Sequence, residues 1–90
     1  MKVFMENQTE NTRVAVISIL LESSEAAEKV NALLHEYGAY IIGRMGLPYP
    51  QKNVHIISVA LDAPQDEINA LSGKLGRLTG VSAKTAYQAL

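Results

Sequence analysis

The sequence predicts an α+β domain in which strand, helix and strand occur twice, in the order βαββαβ. Three observations predict it. Four short apolar runs, Arg13 to Leu21, Tyr40 to Leu47, Val54 to Leu61 and Val81 to Tyr87, read as strands. Two stretches between them, Glu25 to Tyr37 and Gln65 to Leu78, carry apolar residues at helical spacing. The pattern uses the whole chain from Arg13 onward, which leaves no room for a second domain. The simplest fold of that order is a ferredoxin-like sandwich, a four-stranded antiparallel sheet in the order 4-1-3-2 with two helices on one face.

Residues 1–12 read as a flexible N-terminal tail ahead of a single domain over 13–90. Glu6 to Thr12 has no apolar period and low strand propensity, although it can pair onto a sheet edge in an oligomer. Strand one has two apolar faces. Val14, Val16, Ser18 and Leu20 share one, and Ala15, Ile17, Ile19 and Leu21 share the other. Such a strand is buried on both sides. Helices cover one side of a two-layer sandwich, so a second subunit is expected on the other.

Ser23 or Ser24 is positioned to cap helix one, with Glu25 and Glu28 favoured by the helix dipole. Ala27, Val30, Leu33, Leu34 and Tyr37 form its core stripe, and Gly38 is expected to end it as a left-handed cap. Strand two holds Gly43 and Gly46, a sign of a bulge or a close approach by another backbone. Pro48 and Pro50 are expected to open the hairpin, with Gln51, Lys52 and Asn53 in the turn. A proline-terminated strand belongs at a sheet edge. Strand three is again apolar on both faces, as a central strand should be. Asp62 is a candidate cap for helix two, and Pro64 lacks an amide that would be unpaired there. Ile68, Leu71, Leu75 and Leu78 are that helix's buried stripe, and Gly80 stops it.

Composition narrows the function. The 90 residues carry a net charge of −1, without the basic face of a nucleic-acid binder, so direct nucleic-acid binding is not expected. There is no cysteine, hence no disulfide, thiolate metal site or thiol nucleophile. No run approaches the ~20 apolar residues of a membrane span, and the apolar start Val3 to Met5 is too short for a signal peptide. A cytoplasmic location is expected. Hydrophobic content is 48%, high for so small a domain, so either the core is unusually complete or some apolar surface meets a partner.

Chemistry-bearing motifs are sparse. Gly73 and Gly76 sit in a helix, each costing about 1 kcal/mol against alanine. With Ser72 they form a small-residue patch that fits tight packing on the sheet, or a ligand or subunit contact. Arg44, between the glycines of strand two, can hold an anionic ligand or guard an edge strand against aggregation. His35 at the end of helix one suits the helix dipole. His55 alternates with Ile57, Val59 and Leu61, which places it on the partner-facing sheet surface; it is the candidate metal ligand. The candidates for ligand binding are Arg44, Gly73 and Gly76. No catalytic residue, cofactor or resident metal is expected. Strands one and three lack the aromatics on which an RNA-recognition domain stacks bases. The turn Leu21 to Ser24 lacks the glycines that cradle an acylphosphatase's anion.

The stretches Val30-Asn-Ala-Leu-Leu-His35, Ile42-Gly-Arg-Met-Gly-Leu-Pro48, Ile56-Ile-Ser-Val59 and Ala70-Leu-Ser-Gly-Lys-Leu-Gly76, with Gly80-Val81 and Lys84-Thr85, carry a family resemblance. Over roughly residues 13–86 the chain resembles the small proteins described as iron-only hydrogenase system regulators. These are an ACT-like group related in fold to the C-terminal domain of nickel-responsive repressors. The resemblance implies a ferredoxin-like fold, dimers or tetramers formed by stacked sheets or joined edges, and a regulatory, transcriptional role linked to an iron-only hydrogenase system. The chain departs from the repressors. Residues 1–12 cannot form a ribbon-helix-helix DNA reader, and only His55 can correspond to a nickel ligand.

The expectation is a non-catalytic homo-oligomer, dimer or tetramer, that senses a small molecule or binds a protein partner. Its subunits are expected to meet through the sheet face holding Ile17, Ile19, Ile57 and Val59, or through the alternate face. Two alternatives remain: a small dimeric α+β-barrel enzyme with His55 and Arg44 in a pocket over the sheet, and a metal-binding module that uses His35 or His55 across subunits.

Overall fold

The computed structural model describes residues 11–89. The elements run β1 (Arg13–Leu21), α1 (Ser24–Glu36), β2 (Ile41–Tyr49), β3 (Val54–Ala63), α2 (Gln65–Gly76) and β4 (Val81–Tyr87). The four strands form one antiparallel sheet in the order β2-β3-β1-β4, which is the expected order read from the other edge. The segment expected as a tail lies, over residues 1–10, outside the described residues.

β1 and β3 are central and pair along their whole lengths, from Arg13 opposite Ala63 to Leu21 opposite His55. One face of this pair is the core. Ala15, Ile17, Ile19 and Leu21 of β1 pack with Ile57, Val59, Leu61 and Ala63 of β3 beneath the helices. Val30 and Leu34 of α1 and Ile68, Leu71 and Leu75 of α2 close the core from above, each at most 1% exposed. A fully buried side chain of this kind contributes about 1.5–3 kcal/mol, so these residues supply most of the force that holds the two layers together.

Of the two sheet faces weighed for a subunit contact, the helices cover the one holding Ile17, Ile19, Ile57 and Val59, which leaves the alternate face bare. Ile17, Ile19 and Val59 are completely buried and Ile57 nearly so, all under the helices. Period two shows which residues share a face, but both faces of β1 are apolar, so the pattern alone does not show which one the helices cover.

Local chemistry explains the element ends. Ser23 adopts extended backbone ahead of α1, and its Oγ accepts a hydrogen bond from the Ala26 amide at 3.0 Å. Ser23→Ala removes that bond and is expected to lower stability by about 1 kcal/mol, read as a lower urea midpoint with an unchanged slope. Ala26, rather than Ala27, is the fully buried alanine of the first turn; Ala27 and Leu33 flank the stripe. Gly38 is not a left-handed cap. α1 runs on through Tyr37, whose amide donates to the Leu33 carbonyl, into a 3₁₀ turn over Gly38–Tyr40.

Asp62 does not cap α2. β3 continues to Ala63, with Asp62 still paired opposite Val14, and Pro64 takes the cap position with no side-chain bond. The Pro64 carbonyl accepts from the Ile68 amide, and Asp66 and Glu67 supply negative charge to the first turn. α2 ends at Gly76, and Gly80 turns the chain with φ +78, a conformation glycine adopts without penalty.

β2 is an edge strand with a bulge between Ile41 and Gly43, as its glycines indicate. Pro48 lies inside the strand opposite His55 instead of opening the hairpin. An edge position tolerates this because a missing amide there breaks no ladder bond. Pro50–Lys52 then form a 3₁₀ turn, and Asn53 takes the left-handed conformation at φ 55.

Polar clips tie the periphery together. Arg13 donates to the Gln88 carbonyl and to Gln65, and stacks 4.7 Å from the Tyr87 ring, whose hydroxyl donates to Asn69 at 2.7 Å. These contacts link the Tyr87 end of the sheet's β4 edge to the first turns of α2.

Candidate functional site

The sheet face opposite the helices carries nothing among the described residues, and it is apolar. Register places its residues in rows across the strands. Leu47, Ile56, Leu20 and Ser82 form one row, and Tyr49 opposite Val54 lies beyond it. Met45, Ser58, Ser18 and Lys84 form the next, followed by Gly43, Ala60, Val16 and Ala86. Val14, Val16, Leu20, Met45, Leu47 and Tyr49 are each 38–55% exposed. The row Leu47–Ile56–Leu20, with Tyr49 and Val54 beyond it, makes a ridge at one end. Ser18, Ser58 and Ala60 make a shallow trough on the two central strands, bordered by Met45, Val16 and Lys84. The paired strands carry only Asp62 and Lys84 as charges on this face.

On the helix side, β2 extends past the cover of α1 and leaves a groove. Arg44 lies opposite Val59, Gly46 opposite Ile57 and Pro48 opposite His55, so all three point to the helix side. Arg44 Nη2 donates to Asn31 Oδ1 of α1 at 2.7 Å, which spans the groove. Two open hollows lie along it. One, of about 280 Å³, is lined by Asn31, Arg44, Gly46 and His55 among others. The other, of about 400 Å³, lies between Leu21–Ser24 and the Pro48–His55 hairpin. They meet at Pro48 and His55.

This geometry rearranges the sequence candidates. Arg44 and His55 come together in one groove. His55 is on the helix side at the exposed end of the sheet, not on the uncovered face, because it shares the parity of Ile57 and Val59. Neither residue lies over the uncovered face, where an α+β-barrel enzyme would place its pocket. Gly73 and Gly76 are elsewhere, on α2. A methyl group added at Gly73 would meet only the Arg77 guanidinium at 3.4 Å, and at Gly76 nothing within 4 Å. Tight packing on the sheet therefore does not explain these glycines. Ser72 alone reaches the sheet, sharing a 2.5 Å hydrogen bond with the Thr85 hydroxyl. His35 stands in the last turn of α1 and lines neither hollow.

Two features escaped the sequence reading. Asn31 is an ordinary exposed helix residue in sequence; only the fold sets it against Arg44. The apolar set Met45, Leu47 and Tyr49 was legible as the period-two complement of Arg44, Gly46 and Pro48.

Electrostatics outside the groove is modest. Lys74 lies 3.5 Å from Glu36 and 5.0 Å from the Tyr37 ring centre. The Tyr37 hydroxyl first, and then the Glu36 charge, raise the Lys74 pKa above its ordinary value. Among the described residues no group of three or more His, Asp or Glu is placed to hold a metal ion. No helix among them is long and apolar enough to cross a membrane.

A ferredoxin-like α+β sandwich with one bare apolar face and a groove beside its edge strand defines the class of this protein. It belongs to the TM1266-like family, described as "Iron-only hydrogenase system regulator, putative", whose model matches residues 13–85. The chain is 37% identical to the uncharacterized protein TM1266 from Thermotoga maritima. That similarity covers 87% of this chain and 99% of that one, with a TM-score of 0.84. The C-terminal domain of MgtC from Mycobacterium tuberculosis shares the fold at 13% identity, with a TM-score of 0.70 over 88% of this chain and 90% of that one. A formyltetrahydrofolate deformylase from Pseudomonas putida KT2440 contains the same fold at 15% identity and a TM-score of 0.60. The match covers 81% of this chain and 28% of the deformylase. No curated protein matches the chain.

Proposed function

We propose that this protein is a non-catalytic, ACT-like regulatory module of an iron-only hydrogenase system that works as a homo-oligomer, two copies joined through the bare sheet face. The observation that carries this reading is the ridge and trough on that face. An isologous pair presents the same patch twice, so the patch must complement itself. A copy turned end for end sets its Leu47–Ile56–Leu20 ridge over the partner's Ser18–Ser58–Ala60 trough, and the reverse follows by symmetry. A bare face of large apolar residues on a small domain is the kind of surface that marks an interaction site. Family membership supplies the link to the hydrogenase system. A regulatory effect on transcription would then pass through a ligand or another protein, because the net charge of −1 does not favour contact with DNA.

Native mass spectrometry of the full chain at about 10 μM, well above the dissociation constant of a specific interface, tests the assembly. A dimer or tetramer is expected. A single-chain mass at that concentration refutes it.

A further inference from the structure

We propose that the groove between α1 and β2 binds a small monocarboxylate with an apolar body, its carboxylate on Arg44 and its body along Pro48 toward the hairpin. This deepens the ligand-sensing side of the function proposed above and rests on that reading only for its regulatory meaning. Binding itself does not depend on assembly.

Arg44 is the anchor. Its bond to Asn31 occupies one N–H and fixes the guanidinium across the groove. No carboxylate among the described residues pairs with it, and the sole ion pair there is Lys74 with Glu36. A planar fork held in place, with donors left over, matches a carboxylate in two-point geometry. Gly46 stands next along the same face, and a Cβ there would meet nothing within 4 Å, so the space beside the guanidinium is open. His55 adds a ring with hydrogen-bonding nitrogens where the two hollows meet.

The rest of the groove selects the body of the ligand. The larger hollow is walled by Pro48, Pro50 and Leu21, which fit hydrocarbon. Its far wall carries Glu22, which does not line the Arg44 hollow. One end of the groove therefore attracts an anion and the other repels one, which favours a single carboxylate over a dicarboxylate. The combined space lies within the range of small-molecule sites, about 300–1,000 Å³. β2 also joins the two surfaces, since Arg44, Gly46 and Pro48 face the groove while Met45, Leu47 and Tyr49 face the bare sheet.

The test is a ¹H–¹⁵N spectrum of the full chain titrated with 4-phenylbutyrate. Saturable shifts are expected at the amides of Asn31, Gly46 and His55. The neutral amide 4-phenylbutanamide and the dicarboxylate suberate should each bind at least about tenfold more weakly, the step expected for one lost charge-assisted contact. Arg44→Gln should weaken 4-phenylbutyrate about tenfold or more, with an unchanged melting temperature because Arg44 is exposed. Arg44→Lys keeps the charge without the fork and should fall between. The proposal is overturned by any of three results: no saturable shift below about 10 mM, equal binding by Arg44→Gln, or the same shifts from inorganic phosphate. A single-chain native mass with saturable shifts would overturn only the assembly. An oligomer without shifts would overturn only the groove.

Discussion

Leu20→Asp is expected to convert the proposed assembly to single chains while leaving each chain folded. Leu20 lies on central strand β1, in the ridge of the bare face, and is 47% exposed in one chain. Covering its remaining exposed half in an interface stabilises by about 0.7–1.5 kcal/mol per copy, and a two-fold interface contains it twice. Aspartate loses that contribution and adds the cost of placing a carboxylate against apolar surface. The dissociation constant should rise by at least about a thousandfold, or about 4 kcal/mol. Sedimentation at a concentration where the wild type is associated gives the mass, and far-UV circular dichroism confirms the fold. Ile17→Asp, three positions earlier on the opposite face, is the control. Ile17 is completely buried beneath the helices, so that variant should unfold rather than dissociate. An associated Leu20→Asp would show that the interface lies elsewhere.

Leu71→Ala should be severely destabilising. Leu71 is completely buried in the middle of α2 against the sheet, within the core formed by Ile17, Val59 and Ile68. Truncation removes its transfer free energy and leaves a cavity that a two-layer core closes only partly, at a cost of about 2–5 kcal/mol. That is a large share of the roughly 5–15 kcal/mol that holds a domain folded. Urea unfolding should show a lower midpoint and the same slope. Gly73→Ala, two residues on, is the contrast. An added methyl there meets only the flexible end of Arg77, and alanine is the better helix former, so stability should hold or rise. A loss of assembly in Gly73→Ala without loss of stability would place that glycine in a contact between chains.

Sequence reading was most successful where local physics dominates. The four strands, both helices, the edge position of β2 and its bulge followed from period, glycine and proline alone. It erred where two neighbours compete for the same role. Helix α1 ends just before Gly38 as expected, but Gly38 is not left-handed, because Tyr37 is drawn into the core and the chain continues as a 3₁₀ turn. Asp62 looks like a cap, but the ladder with Val14 keeps it in the sheet. Pro48 looks like a turn residue, but an unpaired edge lets the strand run through it.

The βαββαβ order, the central place of β1 and β3, and the apolar character of both faces of β1 were all legible in the chain before any folding. These follow from hydrophobic period, which each segment carries alone. Which of two equally apolar faces the helices cover, and hence which residues remain bare, emerges from packing in three dimensions. That packing alone brought Asn31, Arg44 and His55 together from α1, β2 and β3. Those outcomes depend on how the connections cross the sheet and on how far an edge strand outruns its helix, and no local pattern encodes either.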